Sequence, residues 1–290
     1  RKPGRELRDR PDPRRRRRLL DLRMMVTPAD VETFWRDGVV CLPGVLPRDL
    51  VAAMAEPVEA ARAGAQSADL SALAGGTSGR FVAGVDHWRH QPEMRAFACE
   101  SPLPEVVAQV LRSATAYLYE DSVLVKEPGA KERTHWHQDL GYFHVEGEQL
   151  CTTWCPLDDV DEHSGAMQFV RGSHRWDAVF RPNLFVTTEP LPGTDGDVVP
   201  EIDGGDYDIV SYALGPGDIT VHHARTLHAA GANTTLDRRR RAISVRYCGD
   251  DARVKIRPGA PLKPEQRDLA DGEPLGGSTH PQVWPVNATA

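Results

Sequence analysis

Thr134-His135-Trp136-His137-Gln138-Asp139-Leu140-Gly141-Tyr142-Phe143 is the stretch on which the reading of this chain turns. As an extended strand, with side chains alternating at period 2, it places His135, His137 and Asp139 on one face and Thr134, Trp136 and Gln138 on the other. An imidazole and a carboxylate one residue apart offer two ligands to one metal ion. A third has to come from elsewhere, and the run from Val221 to Gly231 holds His222, His223 and His228. His222 and His223 are adjacent in a strand and point to opposite faces, so both cannot ligate. His228 follows the strand's end and leads into Ala229-Ala230-Gly231, where small residues let backbones approach closely. His228 is therefore the expected third ligand, with His223 a supporting or core histidine.

The 290 residues are 40% hydrophobic and 27% charged, enough apolar material for a full core. All-β barrels of roughly 200 to 250 residues commonly form one unit, so a single domain is expected. The five cysteines are odd in number and scattered, and the sequence shows no signal-like apolar stretch and no run of about 20 apolar residues. These features predict a cytoplasmic protein with reduced thiols and no membrane association. Cys151 and Cys155 could be half of a zinc site, but no second pair completes four ligands, so they are expected in the core. The net charge of −7 argues against a nucleic-acid binder, whose footprint is basic. A small-molecule partner is favoured, and nothing in the sequence sets an oligomeric state.

Residues 1–23 are dominated by Arg and Pro and are expected to form a disordered basic arm, with Met24 and Met25 as candidate starts of the chain proper. Residues 24–251 are expected to form the single domain. Its first part, 24–116, is expected to be a helical scaffold. Thr27-Pro28 caps a helix over 29–37 that ends at Gly38, and a short strand follows at 39–42. Pro47 opens a second helix carrying Leu50, Val51, Met54, Val58 and Ala61 at helical spacing, with a kink at Pro57. Residues 65–80 are expected to be a mobile loop, followed by short helices at 92–99 and 104–111. From 117 to 251 the chain turns to β-branched and aromatic runs separated by Pro and Gly turns, the pattern of a sandwich or barrel. Strands are predicted at 117–126, 134–139, 150–157, 166–170, 209–214, 218–223 and 240–248. The insertion 186–208 is acidic without Lys or Arg and is expected to be a lid or a disordered loop. The Pro- and Gly-rich tail 252–290 is expected to wrap the surface, pinned by Trp284.

Alternation divides the last predicted strand into a core face, Arg241, Ile243, Val245 and Tyr247, and a small, basic face, Arg240, Ala242, Ser244 and Arg246. The second face suits a cavity that holds an anion, because Arg offers a planar fork to a carboxylate. His135 is a candidate substrate or supporting group beside the metal pair, and Trp88 a candidate pocket wall. Two histidines and one carboxylate with open positions form the facial arrangement of non-heme iron sites.

Lys126-Glu127-Pro128-Gly129, His137-Gln138-Asp139-Leu140, Tyr142-Phe143, Trp154, Ser164-Gly165, Arg171-Gly172-Ser173-His174, Gly217-Asp218, His228 to Gly231, Asn233 and Arg241-Ala242-Ile243-Ser244 stand in an order and spacing that resembles the phytanoyl-CoA dioxygenase family of Fe(II)/2-oxoglutarate oxygenases. The resemblance runs from about Thr27 to Gly249. It implies a mainly β fold with flanking helices, a double-stranded β-helix or jelly-roll, cupin-like barrel. It implies Fe(II) on His137, Asp139 and His228, with 2-oxoglutarate and O2 as co-substrates. The distal carboxylate of 2-oxoglutarate would be anchored by Arg240, with Arg239 and Arg241 as alternatives. Lys126 and Trp154 would line the co-substrate pocket, and Tyr142 and Phe143 would lie beside the substrate. The implied reaction oxidises an unactivated C–H bond, with succinate and CO2 as co-products. Halogenating relatives lack the metal carboxylate, whereas Asp139 is present, which favours hydroxylation. Two other classes compete: a metal-binding sensor without turnover, which the Arg240 anchor argues against, and a zinc hydrolase, for which no His-Glu-x-x-His helix exists.

Overall fold

The alternating runs around 117–126, 150–157 and 240–248 form the middle of an eight-stranded antiparallel sheet in the computed structural model, which describes residues 26–72 and 79–285. The order is β1 (Val39–Leu42), β10 (Ile219–His223), β7 (Leu150–Pro156), β12 (Arg240–Cys248), β4 (Ala116–Lys126), β3 (Phe81–Val85) and β2 (Ser67–Asp69), with β14 (Gln282–Trp284) pairing the start of β4. A smaller antiparallel sheet runs β5 (Thr134–His137), β11 (His228–Ala230), β8 (Met167–Val170) and β9 (Ile209–Ser211). Two sheets face to face, with helices behind the larger one, make the jelly-roll architecture. A short pair, β6 (Val145–Glu146) with β13 (Arg253–Val254), ties the tail to the segment after the metal motif.

The outer face of the large sheet carries Val123, Val125, Ile219, Val221, Ile243 and Val245, and these pack into one apolar cluster with Phe34, Val58, Met94, Phe97, Leu103 and Val107 of the helical layer. That layer comprises α1 (Pro28–Asp37), α2 (Arg48–Ala53), α3 (Ala55–Ala63), α4 (Pro92–Glu100) and α5 (Leu103–Val110). Each fully buried Val, Leu or Phe contributes roughly 1.5–3 kcal/mol, so the helices are fixed by the sheet rather than by their own propensity. In α1 the Thr27 hydroxyl accepts from the Asp30 amide while Asp30 accepts from Thr27, a reciprocal cap. Cys151 and Cys155 lie in this apolar cluster, and all five cysteines are free.

Several expectations are corrected. The second helix is two helices that part at Met54, upstream of Pro57: the proline sits in the first turn of α3, where its missing N–H leaves no bond unmade. Part of the expected 65–80 loop is strand β2, an edge partner of β3; residues 73–78 lie outside the described residues, as do the basic arm and Met24 and Met25. The strand expected at 209–214 stops at Ser211. The strand expected at 134–139 stops at His137, and Asp139 begins a 3-10 turn, Asp139–Tyr142.

The insertion 186–208 packs along the small sheet, with Ile202 buried beside Trp136, Phe180 and Leu227, and the Trp136 indole donating to Asp203 at 2.9 Å. In the tail, the His280 ring stacks on Tyr119 at 5.0 Å and Trp284 packs against the helical layer. Among the described residues no helix is long and apolar enough to cross a membrane.

Candidate metal centre

Between the two sheets, His137 and His228 are direct cross-strand partners on β5 and β11. Two residues further along β11, Ala230 pairs with Thr134, so three steps on β5 oppose two on β11. This bulge breaks the period of two. Thr134 and His137 therefore line the same cavity, and His135, expected there, does not. Asp139 enters from the 3-10 turn, held by the Leu140 amide donating to Ala224 O at 2.9 Å.

His137, Asp139 and His228 are all buried, and their ligand atoms lie within 4.8 Å of one another, the only such cluster of three among the described residues. Asp139 Oδ1 is 3.8 Å from His137 Nε2 and 3.7 Å from His228 Nε2. Each ring's Nδ1 lies on a backbone carbonyl, His137 on His135 O at 2.7 Å and His228 on Thr226 O at 2.9 Å. A carbonyl only accepts, so each Nδ1 carries the proton and each Nε2 presents a lone pair. Burial pushes His137 down to about 3 and His228 down to about 4, each helped by a neighbouring histidine, so both rings are neutral. Burial by itself would raise the Asp139 carboxyl, but His228, His222 and Arg246 outweigh it and hold the group well below the usual carboxylate range. Three acceptors thus converge with no proton between them. That arrangement calls for a cation, and its donor types fit ferrous iron.

The same cavity has a second charged wall. Arg240 is buried, its Nε has no partner, and Nη1 reaches only Leu124 O, at 3.5 Å. Its guanidinium lies 5.7 Å from the Trp154 ring, and burial pushes its pKa down to about 10. Lys126, expected to line the cavity, is not among its lining residues: it pairs with Arg240 across β4 and β12, is fully buried, and donates to Gly231 O at 2.5 Å. Burial, then the charge of Arg240, holds Lys126 well below the usual lysine range. The other arginines of the run have acidic partners: Arg238 with Asp161, Arg239 with Glu59 and Glu127, Arg241 with Asp158. Among the described residues, neither Arg240 nor Lys126 has a carboxylate within ion-pair distance.

Trp154, Ser244 and Arg246 line the cavity beside Arg240. Tyr142 lies edge-on to the His137 ring at 5.8 Å and donates its hydroxyl to Asn183 O. Phe143 packs on Tyr119 at 4.8 Å, in a cluster outside the cavity. Trp88 is a correction as well: it is buried in the helical-side core, under the Arg89 guanidinium, and does not reach the cavity. Sequence reasoning missed Thr152, His222 and Phe185, which all line it. Alternation from Trp154 could have found Thr152, and cross-strand pairing with Thr152 could then have found His222. Phe185 carries no sequence signal. It holds a left-handed backbone (φ 68°) and sets its ring 5.2 Å from His137.

Known proteins resemble this chain in sequence and fold. The solved carbocyclase SnoK of nogalamycin biosynthesis, a non-heme alpha-ketoglutarate-dependent enzyme, is 27% identical and superposes with a TM-score of 0.72 over 89% of this chain and 96% of its own. The epimerase SnoN, solved with Fe3+, alpha-ketoglutarate and nogalamycin RO, is 26% identical with a TM-score of 0.69 over 91% of this chain and 99% of its own. Dioxygenase cdmD of Talaromyces verruculosus is 30% identical over 42% of this chain, a match that spans 36% of that relative's length. The model of the family described as phytanoyl-CoA dioxygenase (PhyH) matches residues 34–242, and the chain belongs to that family.

Proposed function

We propose that the protein is an Fe(II)- and 2-oxoglutarate-dependent dioxygenase that oxidises an unactivated C–H bond of a small organic molecule, with succinate and CO2 as co-products. His137, Asp139 and His228 would hold the iron, and Arg240 would grip the distal carboxylate of 2-oxoglutarate. The observation that carries this reading is the pairing of three convergent acceptors with a buried guanidinium, that of Arg240, whose Nε has no partner, in one cavity. A bound ferrous ion supplies O2 activation, the step no side chain can perform. The chain's own residues bind and orient. The carbonyls of His135 and Thr226 keep Nε2 of each ligand histidine free, Trp154 flattens one wall beside the co-substrate, and Phe185 and Tyr142 keep water from the His137 side. A hydrolase would have no use for a buried, unpaired guanidinium in the metal cavity. The company of a carbocyclase and an epimerase of nogalamycin biosynthesis among the structural neighbours supports a small organic molecule as substrate.

Purified protein supplied with Fe(II), 2-oxoglutarate and air should release succinate, and a chelator should stop it. His137→Ala and Asp139→Ala should each abolish the release, and turnover unchanged in either variant would reject the ligand assignment. Mass spectrometry of a substrate found by this screen should show a gain of one oxygen.

A further inference from the structure

The two oxygens of Asp139 meet different surroundings. Oδ1 faces the Nε2 atoms of His137 and His228. Oδ2 is turned to the large sheet, where the Thr152 hydroxyl donates to it at 2.5 Å and His222 Nε2 stands 3.5 Å away. Thr152 and His222 are direct partners across β7 and β10, so their side chains stand side by side on the inner face, with Arg246 next in the same row on β12. His222 is buried, wedged 5.2 Å from the Phe169 ring and 4.4 Å from the His228 ring, and neither of its ring nitrogens has a hydrogen-bond partner. An imidazole always carries at least one N–H, and leaving it unpaired in the interior is costly. Its Nε2 stands within reach of Asp139 Oδ2.

We infer that Thr152 and His222 are positioning residues that hold Oδ2 between a hydroxyl and an imidazole N–H, and so present Asp139 to the metal through Oδ1 alone. This rests on the metal centre proposed above. Its consequence is a count of open positions. Two imidazoles and a single carboxylate oxygen as the protein's ligands would leave more of the metal free for a 2-oxo acid and O2 than a carboxylate engaged through both oxygens would. His222 resembles a fourth ligand in burial and type, but its Nε2 addresses the oxygen turned away from the other two rings, which marks it as a partner of the carboxylate.

The test uses metal-free full-length protein titrated with Mn(II) and read by electron paramagnetic resonance, with thermal melting to confirm that each variant is folded. Removing a group that orients a metal ligand typically weakens metal binding about 10–100-fold, and Thr152→Val and His222→Phe should each show a loss of that size. Thr152→Ser, which keeps the hydroxyl, and His222→Asn, which keeps an N–H donor, should recover most of it. X-ray absorption of the Fe(II)-loaded protein should count two imidazoles in both wild type and His222→Asn. Wild-type Mn(II) affinity retained in Thr152→Val and His222→Phe would overturn the inference and leave the metal centre standing. Three imidazoles in wild type falling to two in His222→Asn would overturn it in favour of a direct ligand. A wild-type protein that binds no Mn(II) would remove the metal centre itself.

Discussion

The Arg240 guanidinium is buried beside Leu124 and Trp154 with its Nε unsatisfied, while Arg239 and Arg241 on either side are half-buried in ion pairs. Taking an unpaired charge out of water costs free energy, and replacing buried charges by neutral groups is often neutral or stabilising, by up to about 4 kcal/mol. Function explains why the charge is kept. Arg240→Gln should leave the melting temperature of the ligand-free protein unchanged or raised. Loss of one partner of a buried charge pair costs about 2–5 kcal/mol, which is a rise in the 2-oxoglutarate requirement of roughly 30-fold or more. Thermal melts with and without 2-oxoglutarate would show both effects, and a variant that is destabilised yet still stabilised normally by 2-oxoglutarate would move the anchor elsewhere. At this scale the sequence was informative where alternation held: the faces of β12 separate Arg240 from its neighbours as the period of two requires. It was silent on His222, because a histidine beside a ligand looks the same in sequence whether it binds metal, a carboxylate or nothing.

Among the elements, the regular ones were legible and the irregular ones were not. Strands β4, β7 and β12 follow from their apolar alternation, and α1 from its cap and its closing glycine. The bulge in β5 was invisible, because no residue in Thr134-His135-Trp136-His137 marks it and it exists only through pairing with β11. It reverses the side of His135 and brings Thr134 to the cavity, so the one strand read most closely was the one whose period failed. The turn after α1 gives an element-scale prediction. Gly38 has φ +80°, its amide donates to Phe34 O at 2.8 Å, and a Cβ there would lie 2.4 Å from Thr226 Oγ1 and 2.5 Å from the His174 ring. Thr226 donates to Gly38 O and its own carbonyl holds the His228 ring, so the helix cap and the metal ligand share a contact. Gly38→Ala should destabilise by about 1–3 kcal/mol through left-handed strain and the clash, visible as a lower urea midpoint. It should also weaken Mn(II) binding, and an unchanged midpoint would show that the loop relaxes freely.

Across the whole molecule the buried histidines add up to an acid response. Burial pushes His137 and His223 down to about 3 and His228 and His280 down to about 4, against an ordinary value of 6.5. Below the ordinary value each takes up a proton on unfolding, so its contribution to stability is fully present above 6.5 and is lost as pH falls towards the folded value. Asp121 works against this: burial pushes its carboxyl up to about 7, so over the same window it releases a proton on unfolding and favours the folded state as pH falls. Those four imidazoles against one carboxyl leave a net uptake of at least about three protons, to which the lowered His87, His135, His144, His174 and His222 add, so the loss is on the order of 4 kcal/mol per pH unit or more once the unfolded histidines are charged. Set against a typical total of about 5–15 kcal/mol, the metal-free protein should lose most of its stability by about pH 5. Urea midpoints measured in chelator at about pH 7, 6 and 5 should fall with increasing steepness, and His280→Gln, far from the metal ligands, should lower the slope by about one proton. A midpoint that stays level over that range would mean that these rings are charged or solvated in the folded state. Excess divalent metal at about 100 times its dissociation constant should add about 2.7 kcal/mol near neutrality. That gain should shrink on acidification only where protons begin to compete for the folded rings at 137 and 228, well below the pH at which the unfolded chain becomes charged, so metal should move the acid transition downward without changing its sign.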